Sequence, residues 1–154
     1  TGIAMQNRGA CFTLERGHVN EYAASKLPYH TIIPGMLVKR DAKGAAQPHV
    51  AFGCMGGYMQ PQGQLQIASR LEDHRANPQA ALDAPRWQVS EGLRLDLEPG
   101  FSDATVAELR ARGHEVKIAG EKSITFGRAQ CILRVEHGYV AASDARGDAQ
   151  AVVA

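Results

Sequence analysis

The chain has 154 residues, with 17 Lys and Arg against 16 Asp and Glu and a net charge of +1. A balance so near zero supplies no long-range field to gather nucleic acid or anionic lipid. With 44% apolar and 21% charged residues, the composition is that of a folded domain rather than a disordered tail, and 154 residues suit a single domain.

Residues 1–31 read as mostly irregular, punctuated by Gly9, Gly17, Asn20, Ser25 and Pro28, with a short strand expected around Ile3–Gln6. The run 32–38, Ile-Ile-Pro-Gly-Met-Leu-Val, predicts a buried strand with Pro34 at its start or at a bulge. Residues 40–44 are turn material, and His49 to Cys54 predicts the returning strand of a hairpin. Two such apolar strands call for cover on both faces. After Gly56-Gly57, residues 62–74 predict a helix with Leu65, Ala68 and Leu71 on its inner side. Asn77-Pro78 is an N-cap and first-turn pair for a short helix through Leu82. Strands are expected at 86–90 and 93–97, the second with Leu93, Leu95 and Leu97 facing in while Arg94, Asp96 and Glu98 alternate with them. Ser102 caps a third helix that buries Val106 and Leu109 and stops at Gly113. Strands then follow at 115–119, 123–126, 129–135 and 139–142. Hairpin, helices and further strands in that order predict a layered α+β fold rather than repeated βαβ units.

Several features exclude whole classes of chemistry. No apolar run approaches the roughly 18 residues a membrane helix needs. No basic-then-apolar leader opens the chain, and an initiator Met is missing, so the expectation is a chain that is processed, trimmed or cut from something longer. Cys11, Cys54 and Cys131 are odd in number and far apart, so neither a disulfide framework nor a CxxC metal site is expected. Three unpaired thiols lean toward a reducing, cytoplasmic setting. No two of the six histidines have zinc-ligand spacing, so no metal is expected.

The candidate site residues each carry two readings. Gly56 and Gly57 end a buried strand just before a helix, where open backbone N–H groups can receive a developing oxyanion; a turn needing positive φ is the default alternative. Asn7 and Arg8 offer an amide donor and a bidentate carboxylate clamp, or merely a surface loop. His30 and Thr31 offer an imidazole and a hydroxyl for substrate, or a structural His. Asp144 and Arg146 most simply form a salt bridge that pins the tail. Thr1 could act as an N-terminal nucleophile with its own amine as base. Cys11 and Cys54 read as small hydrophobes rather than nucleophiles.

Four blocks together resemble the γ-glutamyltranspeptidase family of N-terminal nucleophile (Ntn) hydrolases. They are Thr1-Gly2-Ile3 with 6–10 (Gln-Asn-Arg-Gly-Ala) and Phe12, 28–34 (Pro-Tyr-His-Thr-Ile-Ile-Pro), 55–63 with 77–87, and 142–148 (Ala-Ser-Asp-Ala-Arg-Gly-Asp). The resemblance implies an αββα sandwich, a self-cleaving precursor and a nucleophilic Thr that forms an acyl-enzyme from a γ-glutamyl or related amide, without metal or organic cofactor. It places Thr1 inside the small subunit, beyond the nucleophile, so the chain would be a C-terminal portion of that subunit and an incomplete sandwich. It implies Gly56 and Gly57 as the oxyanion hole. It sets His30 and Thr31 where typical members carry two carboxylate-binding serines, and Arg8 and Cys11 in the loop that holds the glutamyl ammonium, with Cys11 in place of an Asp.

An ammonium needs an anion or several acceptors, and Arg8 would repel it. The Asn-Arg-Gly form of the block also resembles the cephalosporin acylase-like branch. The expectation is therefore an amidohydrolase or acyltransferase acting on γ-glutamyl or glutaryl-type amides, with the nucleophile outside this chain. A non-catalytic remnant that only binds partners is the alternative. Expected partners are the small amide substrate and either the rest of the family's chain, including the large subunit, or a second copy; neither nucleic acid nor membrane is expected.

Overall fold

The computed structural model describes residues 2–3, 7–28, 32–120 and 123–152. They fall into two compact units, 1–32 and 33–154. The expected strand at 3–6 lies outside the described residues except for Ile3, which is irregular.

The first unit is held by polar and turn contacts. A short 3-10 helix spans Arg8–Cys11, and an isolated bridge joins Thr13 to Glu21. The rings of Phe12 and Tyr22 meet edge-on at 5.7 Å. The Asn20 amide donates to the Cys11 carbonyl, and Gly17 N–H donates to the Glu21 carboxylate at 2.8 Å. None of its described residues is buried, and Leu14, Val19 and Leu27 stand in solvent. Over its described residues this stretch is mostly irregular, as expected, and their apolar side chains form no buried core.

The second unit begins with a hairpin, β1 (Gly35–Arg40) and β2 (Ala46–Met55). Asp41 ties the connecting turn by accepting from the N–H groups of Lys43 and Ala45. β6 (Arg128–Val135) and β7 (Gly138–Ser143) complete an antiparallel sheet in the order β1-β2-β6-β7. On one face of this sheet lie α1 (Met59–Glu72) and α2 (Pro78–Asp83). Between them and the strands Val50, Cys54, Ile67, Leu71, Ala81, Leu82, Ala129, Cys131 and Ala142 form the main core. Asn77 caps α2 as expected, its side chain accepting from Gln79 N–H.

The buried stripe of α1 is Met59, Gly63, Gln66, Ile67 and Leu71, and Leu65 is 61% exposed, so the expected inner position of Leu65 is corrected. The helix is turned so that Gly63 meets β2, where a Cβ would lie 2.6 Å from Cys54 Sγ. That close approach sets which side of the helix is inward.

The opposite face of the sheet carries exposed apolar side chains beside Arg128, Gln130 and Arg134. Met36, Val38, Met55 and Ile132 alternate in register with the helix-facing residues and are each about half exposed. Among the described residues of this unit, the expected cover of the hairpin is found on one face only.

A second, smaller sheet has the order β3-β4-β5, from β3 (Trp87–Val89), β4 (Arg94–Leu97) and β5 (Glu115–Ile118). β4 and β5 are parallel, joined by α3 (Asp103–Ala111), so one βαβ crossover exists within the α+β fold. Ser102 caps α3 by accepting from Thr105 N–H. Leu95, Leu97 and Val106 make the second core with Trp87, Phe101, Leu109 and Val116 around it. Leu93 is 60% exposed, outside the expected alternation. The strand expected at 123–126 is instead a short 3-10 helix, Ile124–Phe126, which Ser123 caps and Gly127 ends.

Two glutamines join the layers. Gln66 pairs with Trp87 as a strand would, donating to its carbonyl at 2.9 Å and accepting from its N–H at 3.0 Å. One turn earlier, Gln62 makes the same pair with Val89, at 3.1 and 2.7 Å. Four helical residues advance about 6 Å and two strand residues about 6.6 Å, so the spacings match. The amides of α1 thereby close the free edge of β3.

Candidate functional site

β2 runs into Gly56-Gly57, and α1 begins two residues later. Both glycines have positive φ, 139° for Gly56 and 60° for Gly57, which a side chain would strain. Their carbonyls accept from the N–H groups of Met59 and Gln60 at 3.0 and 3.1 Å, which fixes the turn. Among the described residues, none accepts from the N–H of Gly56 or Gly57. The turn reading of this pair is therefore correct as far as geometry goes, and the same geometry leaves two donors beside the start of a 14-residue helix. Donors so placed, with the positive end of the helix dipole behind them, suit a developing negative charge.

Behind the turn lies a buried ionic cluster that the sequence reading largely missed. Arg86 is wholly buried. One of its terminal nitrogens donates to the carbonyls of Phe126 and Gly127 at 3.0 and 3.2 Å, with Cys54 Sγ at 3.8 Å. The other donates to Leu82 O and to Asp144 at 2.6 Å. Asp144 also accepts from the N–H groups of Ala129 and Arg146. The expected Asp144–Arg146 salt bridge is present at 3.0 Å, but Arg146 also grips Glu98. Glu98, expected on an exposed alternation, is 4% exposed and accepts from Arg86 N–H at 2.7 Å as well. Partly buried Arg70 adds a third guanidinium, donating to the carbonyls of Ala81, Ala84 and Pro85.

The charges hold each other in place. Burial works against ionisation of Asp144, but the Arg146 N–H, the Arg86 guanidinium and the Ala129 N–H outweigh it and hold its pKa below the usual carboxylate range. Burial likewise opposes the charge on Arg146, and Glu98 and Asp144 overcome it. For Cys54 burial dominates and pushes the thiol up, so it stays protonated at neutral pH. Cys131 is pushed up by burial too. Neither is a poised nucleophile, and for Cys54 this agrees with its reading as a small hydrophobe.

Asn7, Arg8 and Cys11 belong to the first unit. Asn7 precedes the 3-10 helix, and Arg8 and Cys11, both half-buried, open and close it. His30, Thr31 and Thr1 lie outside the described residues. Gly56 and Gly57 stand in the second unit. Among the described residues no group of three His, Cys, Asp or Glu side chains is placed to hold a metal, and no helix is long and apolar enough to cross a membrane.

An α+β fold with a glycine turn between sheet and helix defines the class, and comparison with known proteins supplies the family. The γ-glutamyltranspeptidase family model matches residues 1–154, and the chain belongs to that family. It is 37% identical over 160 residues to a glutathione hydrolase-like proenzyme of Bacillus subtilis, covering 99% of this chain and 29% of that protein. It is 34% identical over 159 residues to an oxamate amidohydrolase proenzyme of Klebsiella pneumoniae, covering 98% of this chain and 29% of that protein. Among solved structures, the cephalosporin acylase from Bacillus halodurans matches with a TM-score of 0.86 and 45% identity, over 97% of this chain and 27% of that one. The chain thus spans less than a third of the length of these relatives.

Proposed function

We propose that this chain is the C-terminal portion of an amidohydrolase or acyltransferase that cleaves γ-glutamyl or glutaryl-type amides through an acyl-enzyme. The observation that carries the reading is the Gly56-Gly57 turn with two N–H groups unclaimed by any described residue. The names of three relatives, a glutathione hydrolase-like proenzyme, an oxamate amidohydrolase and a cephalosporin acylase, all denote amide cleavage and support the same class.

In this reading a Thr hydroxyl supplied by sequence outside the chain attacks the amide carbon. The carbonyl oxygen becomes an oxyanion held by the Gly56 and Gly57 N–H groups. The C–N bond then breaks, and the hydroxyl proton leaves with the amine. Water, or an acceptor amine, attacks the ester that remains and frees the Thr. Pre-aimed donors of this kind are worth about 2.7–4 kcal/mol each in such steps.

Arg8 is the residue on which acyl preference turns. Its fixed charge suits a carboxylate with no neighbouring ammonium. Asn7, Cys11, His30 and Thr31 complete the proposed acyl subsite, with Cys11 supplying no anion for an ammonium. The complete enzyme is expected to release the amine from a glutaryl anilide at least as fast as from the γ-glutamyl anilide. Arg8→Ala should raise KM for the glutaryl substrate about tenfold or more, the loss of one charge-assisted pair. A strong preference for the γ-glutamyl anilide, unaltered by Arg8→Ala, would sink the assignment.

The open sheet face of Met36, Val38, Met55 and Ile132 fits the same proposal. It is the surface on which the remaining part of the enzyme, or a second copy, would pack.

A further inference from the structure

We propose that Gly127 is a positioning residue that aims the Gly56 N–H; the proposal rests on the reading of Gly56 as an oxyanion donor. The direction of that N–H is set by a peptide plane. The Met55 carbonyl and the Gly56 N–H belong to one rigid peptide unit, so whatever fixes the Met55 oxygen fixes the direction of that N–H.

Gly127 fixes it. A Cβ on Gly127 would lie 2.3 Å from the Met55 carbonyl oxygen and 2.7 Å from Cys54 Sγ, a space that only a hydrogen fills. A Cβ on Gly56 would in turn lie 3.1 Å from Gly127 Cα, so the two backbones are in mutual contact. Gly127 itself has φ 78°, a conformation that L side chains rarely adopt. Its position is held from the far side, where Arg86 donates to the Phe126 and Gly127 carbonyls while anchored on Asp144. Its own N–H donates to Ile124 O at 3.1 Å, closing the short 3-10 turn. The order of support runs Asp144, Arg86, Gly127, Met55 carbonyl, Gly56 N–H. Only the last member touches substrate in this scheme.

The test is Gly127→Ala in the complete enzyme, assayed on the anilide it turns over. A methyl group there must push the Met55 oxygen and tilt the peptide plane. We expect kcat to fall about a hundredfold with KM changed less than about threefold, the signature of a donor lost from the transition state alone. Affinity for a carboxyalkyl boronic acid, which forms a tetrahedral adduct with the nucleophile, should fall by a similar factor. Affinity for the carboxylate product should stay. A kcat within threefold of wild type, or equal losses for boronate and product, overturns the proposal.

If Gly127→Ala does not fold, Arg86→Lys takes its place, since it keeps the charge beside Asp144 but loses the two-carbonyl fork. The same split between boronate and product is expected, and its absence overturns the proposal. A wild-type enzyme without turnover or boronate binding removes the oxyanion reading and this proposal with it. An active wild type with an unaffected Gly127→Ala removes the proposal alone.

Discussion

Asp144 shows how a carboxylate survives full burial. It has the Arg86 and Arg146 guanidiniums and two backbone N–H groups as partners, so its oxygens are amply satisfied. Its folded-state pKa lies below the ordinary value of about 3.9 for an unfolded Asp. The sign follows from proton linkage. Near and above the unfolded value the group contributes stability, and that contribution is lost as pH falls through the lower folded value. Urea unfolding at pH 7, 5, 4 and 3 should show wild type losing stability below about pH 4. Asp144→Asn should be less stable at pH 7 and should lose less over the same interval. A parallel decline in both proteins would remove Asp144 as the source. Arg86→Met, which leaves Asp144 without its main partner, should cost about 3–5 kcal/mol in the same experiment.

At the level of elements, the glutamines of α1 act as a surrogate strand. Gln66 is 5% exposed, and its amide satisfies both backbone groups on the open edge of β3 at Trp87. Gln79 does the same for β7, donating to Ser143 O at 2.8 Å and accepting from Ser143 N–H at 3.3 Å. Gln66→Ala removes both partners of Trp87 and should destabilise by about 1–3 kcal/mol. Amide exchange at Trp87 should accelerate in the variant, while Leu95 and Leu97 on the other side of β3 keep their protection. Unchanged exchange at Trp87 would mean that the amide pairing carries no weight. Because α1 starts at the Gly56-Gly57 turn, the same clamp ties the small sheet to the candidate site.

At the scale of the whole chain the governing fact is that the described residues of the second unit cover its larger sheet on one face. Val50, Cys54, Ala129, Cys131 and Ala142 lie under the helices, while Met36, Val38, Met55 and Ile132 line the reverse side. Exposed apolar side chains grouped on one sheet face favour association. Sedimentation of the 154-residue chain should show self-association at micromolar concentration, and Val38→Lys with Ile132→Lys should return it to monomer without loss of helix signal. A monomeric wild-type chain would count against the face as a packing surface.

The regular elements were legible because local rules decide them. Asn77-Pro78 and Ser102 start helices through short-range caps, and the hairpin strands and the Leu95–Leu97 alternation follow from patterning. The family, too, could be read from residue blocks alone, including the Gly56-Gly57 pair. What tertiary structure decided were matters of long-range contact. Leu65 turned outward because Gly63 lets the helix close on Cys54. Residues 124–126 became a 3-10 turn that brings Gly127 against Met55. Glu98 and Arg86, separated from Asp144 by 46 and 58 positions in the chain, entered one buried cluster with it. A charged residue in a sequence looks the same whether it faces water or a buried counter-charge, and only the folded chain brings the partner that makes burial affordable.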